Sequence, residues 1–142
     1  MKSTVSLVLL AAFHSSVASS GRLDVVVHGV RNDSGRVLVS LYDRAAGFPR
    51  ERSAVADART VDARRGDVTV RFSDLPHGDY AVAVLHDENV SGDMDTGFLG
   101  IPKEGFAFSN DVNPRFRAPS FDDTKFTIGG LETSVALQMR YR

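Results

Sequence analysis

Apolar and polar residues alternate with a period of two along much of this chain. A segment patterned that way can bury one face only as a strand. Leu23, Val25 and Val27 alternate with Asp24 and His28, and Val37, Val39 and Leu41 with Arg36, Ser40 and Tyr42. Val68, Val70 and Phe72 alternate with Thr69, Arg71 and Ser73, and Val135, Leu137, Met139 and Tyr141 with Ser134, Gln138 and Arg140. Val26 and Leu38 blur the second face. Tyr80 to Leu85 is apolar on both faces, as a central strand would be. Turn residues separate these runs: Asn32-Asp33-Ser34-Gly35, Arg65-Gly66-Asp67 and Gly129-Gly130. No amphipathic helical stripe appears, and Ser53 to Ala58 has room for one short turn. The expectation is an all-β protein, a single antiparallel β-sandwich of about seven strands with Greek-key connections and a long loop at 86–122.

At 142 residues the chain has room for one domain and one core. Residues 1–20 read as a signal peptide. Lys2 supplies the positive start, Val5 to Phe13 a short apolar run, and Ser16-Val17-Ala18 small residues for cleavage. That run is well short of the ~20 residues a membrane span requires, so no transmembrane segment is expected once the leader is removed. Residues 21–142 then form the single sandwich domain, exported and either periplasmic or secreted. With no cysteine, such a protein forgoes disulfides and relies on its core. A formal net charge of −1 without like-charge blocks argues against a nucleic-acid partner.

Leu75-Pro76-His77-Gly78-Asp79-Tyr80 leads into the central strand. Pro76 presets a tight turn, Gly78 tolerates positive φ, and the Tyr80 hydroxyl is placed to reach backbone near the turn. This entry resembles one that recurs in transthyretin-like sandwiches, and it bears on fold rather than activity.

The richest stretch for function is 86–110, HDENVSGDMDTGFLGIPKEGFAFSN. Set against a calcium-binding loop, Asp87 takes the first ligand position, Asn89 the third and Ser91 the fifth. Gly92 stands where the sharp turn falls, Asp93 can offer its carbonyl, and Asp95 sits at the ninth position. Phe98 replaces the bidentate glutamate at the twelfth, and Glu104 is the nearest substitute. The candidate calcium ligands are therefore Asp87, Asn89, Ser91, Asp93, Asp95 and Glu104. The competing reading is a solvated acidic turn, in which the Asp and Asn side chains satisfy the turn backbone.

Phe98, Phe106, Phe108, Phe116, Phe121 and Phe126 gather in the segment that follows, interleaved with Pro102, Pro114 and Pro119. A loop this long is either packed by its own side chains or functional. The rings thus form a satellite core or an aromatic groove. His86, Phe106, Phe108 and Asn110 are the candidate residues for binding an envelope or extracellular partner. His86, ending a buried strand, is expected to hydrogen-bond a neighbouring loop.

Nucleophile chemistry has no support: cysteine is absent and no serine lies in a G-x-S-x-G context. Carboxylates are plentiful, so a hydrolase of an envelope polymer using Asp87, Glu104 or Asp95 is the rival to a non-catalytic binding module. A purely structural accessory protein is the third alternative.

The run from His86 onward resembles a bacterial family, domain of unknown function 2141. Its pattern is approximately H-D-x-N-x-N-G-x-x-D-x-N-x-x-G-x-P-x-E-x-x-G-F-S-N. His86, Asp87, Asn89, Gly92, Asp95, Gly100, Pro102, Glu104, Phe108, Ser109 and Asn110 occupy matching places. Ser91 and Gly97 stand where that family tends to have asparagine, and Ala107 where it has glycine. The resemblance implies an exported, mostly β, single-domain protein without an established activity.

Overall fold

The structure is a computed structural model that describes residue 8 and residues 19–94 and 103–142. Eight strands run in the order β1 (Ser20–Val30), β2 (Arg36–Tyr42), β3 (Asp57–Asp62), β4 (Gly66–Pro76), β5 (Gly78–Asp87), β6 (Gly105–Phe108), β7 (Phe126–Ile128) and β8 (Glu132–Gln138). One sheet has the order β4-β1-β8, and the other β3-β2-β5-β6. β7 pairs with the first residues of β5, so β6 and β7 share one edge of that strand in succession. The protein is an all-β sandwich, with one pairing that departs from the antiparallel rule. β1 and β8 run parallel, Arg22 opposite Glu132 through His28 opposite Gln138. Parallel neighbours need a long crossover, which here is the whole of the intervening chain.

Each alternating run sends its apolar set inward. Leu23, Val25, Val27, Val37, Val39, Leu41, Phe72, Val82, Ile128 and Leu137 have no solvent exposure, and they form one core between the sheets. The Tyr80 hydroxyl donates to the Pro76 carbonyl at 2.6 Å, closing the β4–β5 corner as the turn sequence predicts.

Three short elements depart from the expected pattern. The turn expected within 53–58 is a 3-10 turn at Arg52–Ala54, and β3 begins at Asp57 after Val55 and Ala56. The alternation in β3 is hidden because Arg59 supplies one of its inward positions, its guanidinium 4.8 Å from the centre of the Phe72 ring. Long basic side chains cover apolar surface with their stems while the charged head stays wet. The span 86–122 is not loop throughout. It contains β6, a 3-10 turn at Ser109–Asp111, and the start of α1 (Phe121–Thr124), whose N-cap Ser120 accepts the N–H of Asp123.

Candidate functional site

The site lies where β5 ends. His86 faces the core and Asp87 faces outward, and neither is exposed to solvent. His86 Nε2 lies 2.7 Å from the Ser34 carbonyl, which can only accept, so Nε2 carries the hydrogen. Nδ1 then accepts from the Tyr141 hydroxyl at 2.8 Å, and that hydroxyl accepts the N–H of Arg31 at 3.0 Å. This chain of bonds ties β5 to the 31–35 turn and to the last residues of the protein. Burial pushes the Tyr141 phenol up, against the opposing pull of the Arg31 N–H and guanidinium. The Tyr141 ring lies so close to β6 that a Cβ on Gly105 would sit 2.3 Å from its Cε1. A residue without a side chain is required there.

Asp87 is bound by the turn it begins. Its Oδ1 accepts the Ser91 N–H at 2.9 Å and its Oδ2 the Gly92 N–H at 2.8 Å. Asn89 Oδ1 also reaches the Ser91 N–H, at 3.2 Å, and Ser91 Oγ is 3.4 Å from Asp87 Oδ1. Side-chain oxygens of the first and third positions thus converge on the Ser91 amide, and the hydroxyl of the fifth lies beside that of the first. Gly92 takes φ +83°, a left-handed conformation that suits glycine. Asp93 lies outside this cluster. Its carbonyl accepts from Ser91 Oγ at 2.9 Å, and its carboxylate takes a hydrogen bond from Arg52 at 2.8 Å.

The pairing of β5 with β6 runs from Ala83 opposite Phe108 to His86 opposite Gly105. Glu104 immediately precedes β6, next to the Gly105 that pairs with His86. Asp87 and Glu104 are both buried, Glu104 at 5% exposure. Arg36 faces Asp87 from β2, its guanidinium 3.8 Å from Oδ2. Asp95, the remaining candidate ligand, lies outside the described residues, as do Phe98, Gly100 and Pro102. Among the described residues, no group of three or more His, Cys, Asp or Glu side chains has metal-binding geometry.

Glu88 is held beside the site by the Arg31 guanidinium and by Asn32 Nδ2 at 2.9 Å. Burial raises its pKa, but these hydrogen bonds and the nearby positive charge outweigh that, and the carboxyl stays below its usual value.

The aromatic candidates form a second layer on the outer face of the five-stranded sheet. Phe106 is buried, with the Arg142 guanidinium 5.2 Å from its ring centre. Phe108 is half-buried and meets Phe48 edge-on at 6.3 Å, while Phe48 meets Tyr42 at 5.0 Å and Phe121 at 6.0 Å. Asn110 has φ +60° and donates through Nδ2 to the carbonyls of Asp123 and Lys125. Ser109, beside it, repairs the ladder where β6 ends. Its Oγ accepts the Val82 N–H at 2.9 Å and donates to the Thr124 carbonyl at 2.6 Å. The residues that complete the site without a sequence signal of their own are Arg31, Ser34 and Arg52. Tyr141 had one, because it continues the period-two pattern of the last strand.

The match to known proteins coincides with this framework. Residues 25–136 match the family described as "Uncharacterized protein conserved in bacteria (DUF2141)". The chain belongs to DUF2141. No curated protein and no solved structure matches it. In this DUF2141 member several motif residues bind backbone: His86 the 31–35 turn, Asp87 the loop it begins, Ser109 the central strand and Asn110 the end of α1. Among the described residues, no helix is long and apolar enough to cross a membrane.

Proposed function

We propose that the protein is an exported, non-catalytic β-sandwich module. It binds an envelope or extracellular partner through the connection between β5 and β6, and calcium orders that connection. The observation that carries this reading is the gathering of three side-chain oxygens in one turn: Asp87 Oδ1 and Asn89 Oδ1 accept the Ser91 N–H, and Ser91 Oγ lies 3.4 Å from Asp87 Oδ1. The turn brings three oxygens of a calcium-loop pattern together, and Gly92 makes the bend. Export rests on the leader residues Lys2, Val5 to Phe13 and Ser16-Val17-Ala18, of which all but Val8 lie outside the described residues. Affinity should be weak, with a dissociation constant on the order of 10⁻⁴ M, as in extracellular modules. Millimolar calcium would then add about 1.4 kcal/mol of stability, raising Tm by roughly 3–6 °C. Thermal melting in calcium against chelator tests this. Asn89→Ala should lose the shift and Asp24→Ala should keep it. A wild-type Tm indifferent to calcium leaves Asp87 and Asn89 as turn-capping residues only.

One observation favours the rival carboxylate-dependent hydrolase: two buried carboxylates, Asp87 at the end of β5 and Glu104 just before β6. Release of reducing ends from an envelope glycan by the wild-type protein, lost in Glu104→Gln, would replace the binding reading.

A further inference from the structure

Residues 112–119, Val-Asn-Pro-Arg-Phe-Arg-Ala-Pro, lead from the 3-10 turn toward α1. They carry the most exposed large apolar side chain of the described residues, Phe116 at 99% exposure. A single exposed ring is ordinary on a protein surface. This one is flanked by two exposed arginines, Arg115 and Arg117, which have no ion pair or hydrogen bond among the described residues. The surface arginines of the three-stranded sheet, Arg22 and Arg71, are by contrast paired with Glu132 and Asp24. The base of the segment is braced: Arg142 donates to Asn113 Oδ1 at 3.0 Å and to the Pro114 carbonyl, and Pro119 is buried. Arg115, Phe116 and Arg117 line one shallow, open depression together with a single acidic residue, Asp123.

We propose that residues 114–117 form a docking tip for an anionic lipid surface. Phe116 enters the headgroup region while Arg115 and Arg117 pair with lipid phosphates. Charge complementarity selects an anionic partner. The ring's complete exposure selects a lipid surface, because a peptide would need walls around the ring that this open depression lacks. A bilayer closes around a protruding ring and leaves the flanking guanidinia at phosphate depth.

Co-sedimentation of the full chain, in chelator, with vesicles of phosphatidylglycerol and phosphatidylcholine in equal parts tests the proposal. Vesicles of phosphatidylcholine alone serve as the reference. Any contribution from the leader, whose Lys2 also favours an anionic surface, is common to all variants, so the comparison of variants on anionic vesicles isolates the tip. Selective partition onto the anionic vesicles is expected, weakening with salt. Arg115→Gln with Arg117→Gln should lower it by about 25-fold, since each basic side chain at an anionic surface is worth roughly fivefold. Phe116→Ser should lower it by about tenfold through lost ring burial. Leu131→Ser, at another exposed apolar residue, should change nothing. Equal partition of wild type and both tip variants, or equal partition on neutral and anionic vesicles, overturns the proposal. Binding to polyglutamate without partition onto anionic vesicles also overturns it, in favour of an acidic polypeptide.

Discussion

The two sheets share one core, but their outer faces are built on different principles. On the three-stranded sheet the outward residues, from Asp24 and Arg71 to Thr69 and Ala136, are half-buried or exposed, and the charged ones pair with one another. Arg71 holds Asp24 at 2.7 Å, and Arg22 holds Glu132 at 2.7 Å. The Arg71 hydrogen bond is the main reason the Asp24 carboxyl stays below its usual pKa. On the five-stranded sheet the outward residues Tyr42, Ala81 and Phe106 are as buried as the core. Phe48, Phe108 and Phe121 lie over this region, and Asp87 sits buried at its end. One face therefore ends at solvent, while the other carries a second packed layer, from which the candidate site emerges. Inward alternation is the same in both sheets, so it does not reveal which outer face will be covered.

Truncating the covering layer should have the largest effect. Phe106→Ala should cost about 3–4 kcal/mol, the range for removing a buried ring. Arg71→Ala on the opposite sheet should leave the urea midpoint unchanged, as exposed ion pairs usually do. Equal shifts in the two variants would show that the faces do not differ in energy. Asp87→Ala comes next, at about 2–3 kcal/mol, because it strands the Ser91 and Gly92 amides and removes a buried charge facing Arg36. Asp24→Ala, which removes a carboxylate of equal charge from the other face, should have no measurable effect on the same midpoint.

The smallest effect is a pH dependence. The Glu88 pKa in the folded protein lies below its ordinary value of 4.5. Its stabilising contribution is therefore complete above about pH 4.5–5 and is lost as pH falls through the lower, folded value. Unfolding followed from pH 6 to pH 3 should show a shallower decline for Glu88→Gln than for wild type. Asp24, on the charged face, has the same sign, its folded pKa lying below 3.8.

Much of the fold was legible because burial of one strand face writes itself into the residues. Leu23 to Val27, Val37 to Leu41, Val68 to Phe72 and Val135 to Met139 all point as their alternation requires. β3 was not legible because Arg59, rather than an apolar residue, covers Phe72. β6 and β7 were not, because four and three residues are too few to show a period, and both sit among phenylalanines that pack on either face. In the site, the spacing of Asp87, Asn89 and Ser91 was visible, and so was the Tyr80 corner. That His86 bonds a neighbouring loop was also visible, and its Ser34 contact bears this out; that Tyr141 holds the other ring nitrogen was not, since it comes from a distant part of the sequence and meets His86 only through the packing of the sheets.

Local chemistry was determined by the sequence itself: strand periodicity, the glycine and proline turns, the Asx-rich turn after β5, and membership of DUF2141. These depend on residues a few positions apart, where backbone geometry alone relates one side chain to the next. Only the tertiary structure decided that β8 returns parallel to β1, that the Asp87 and Glu104 carboxylates are buried, and that Phe106 is covered while Asp24 keeps contact with solvent. Each of these is a contact between residues far apart in the chain. The free energy of such a contact depends on what the rest of the fold brings to the other side.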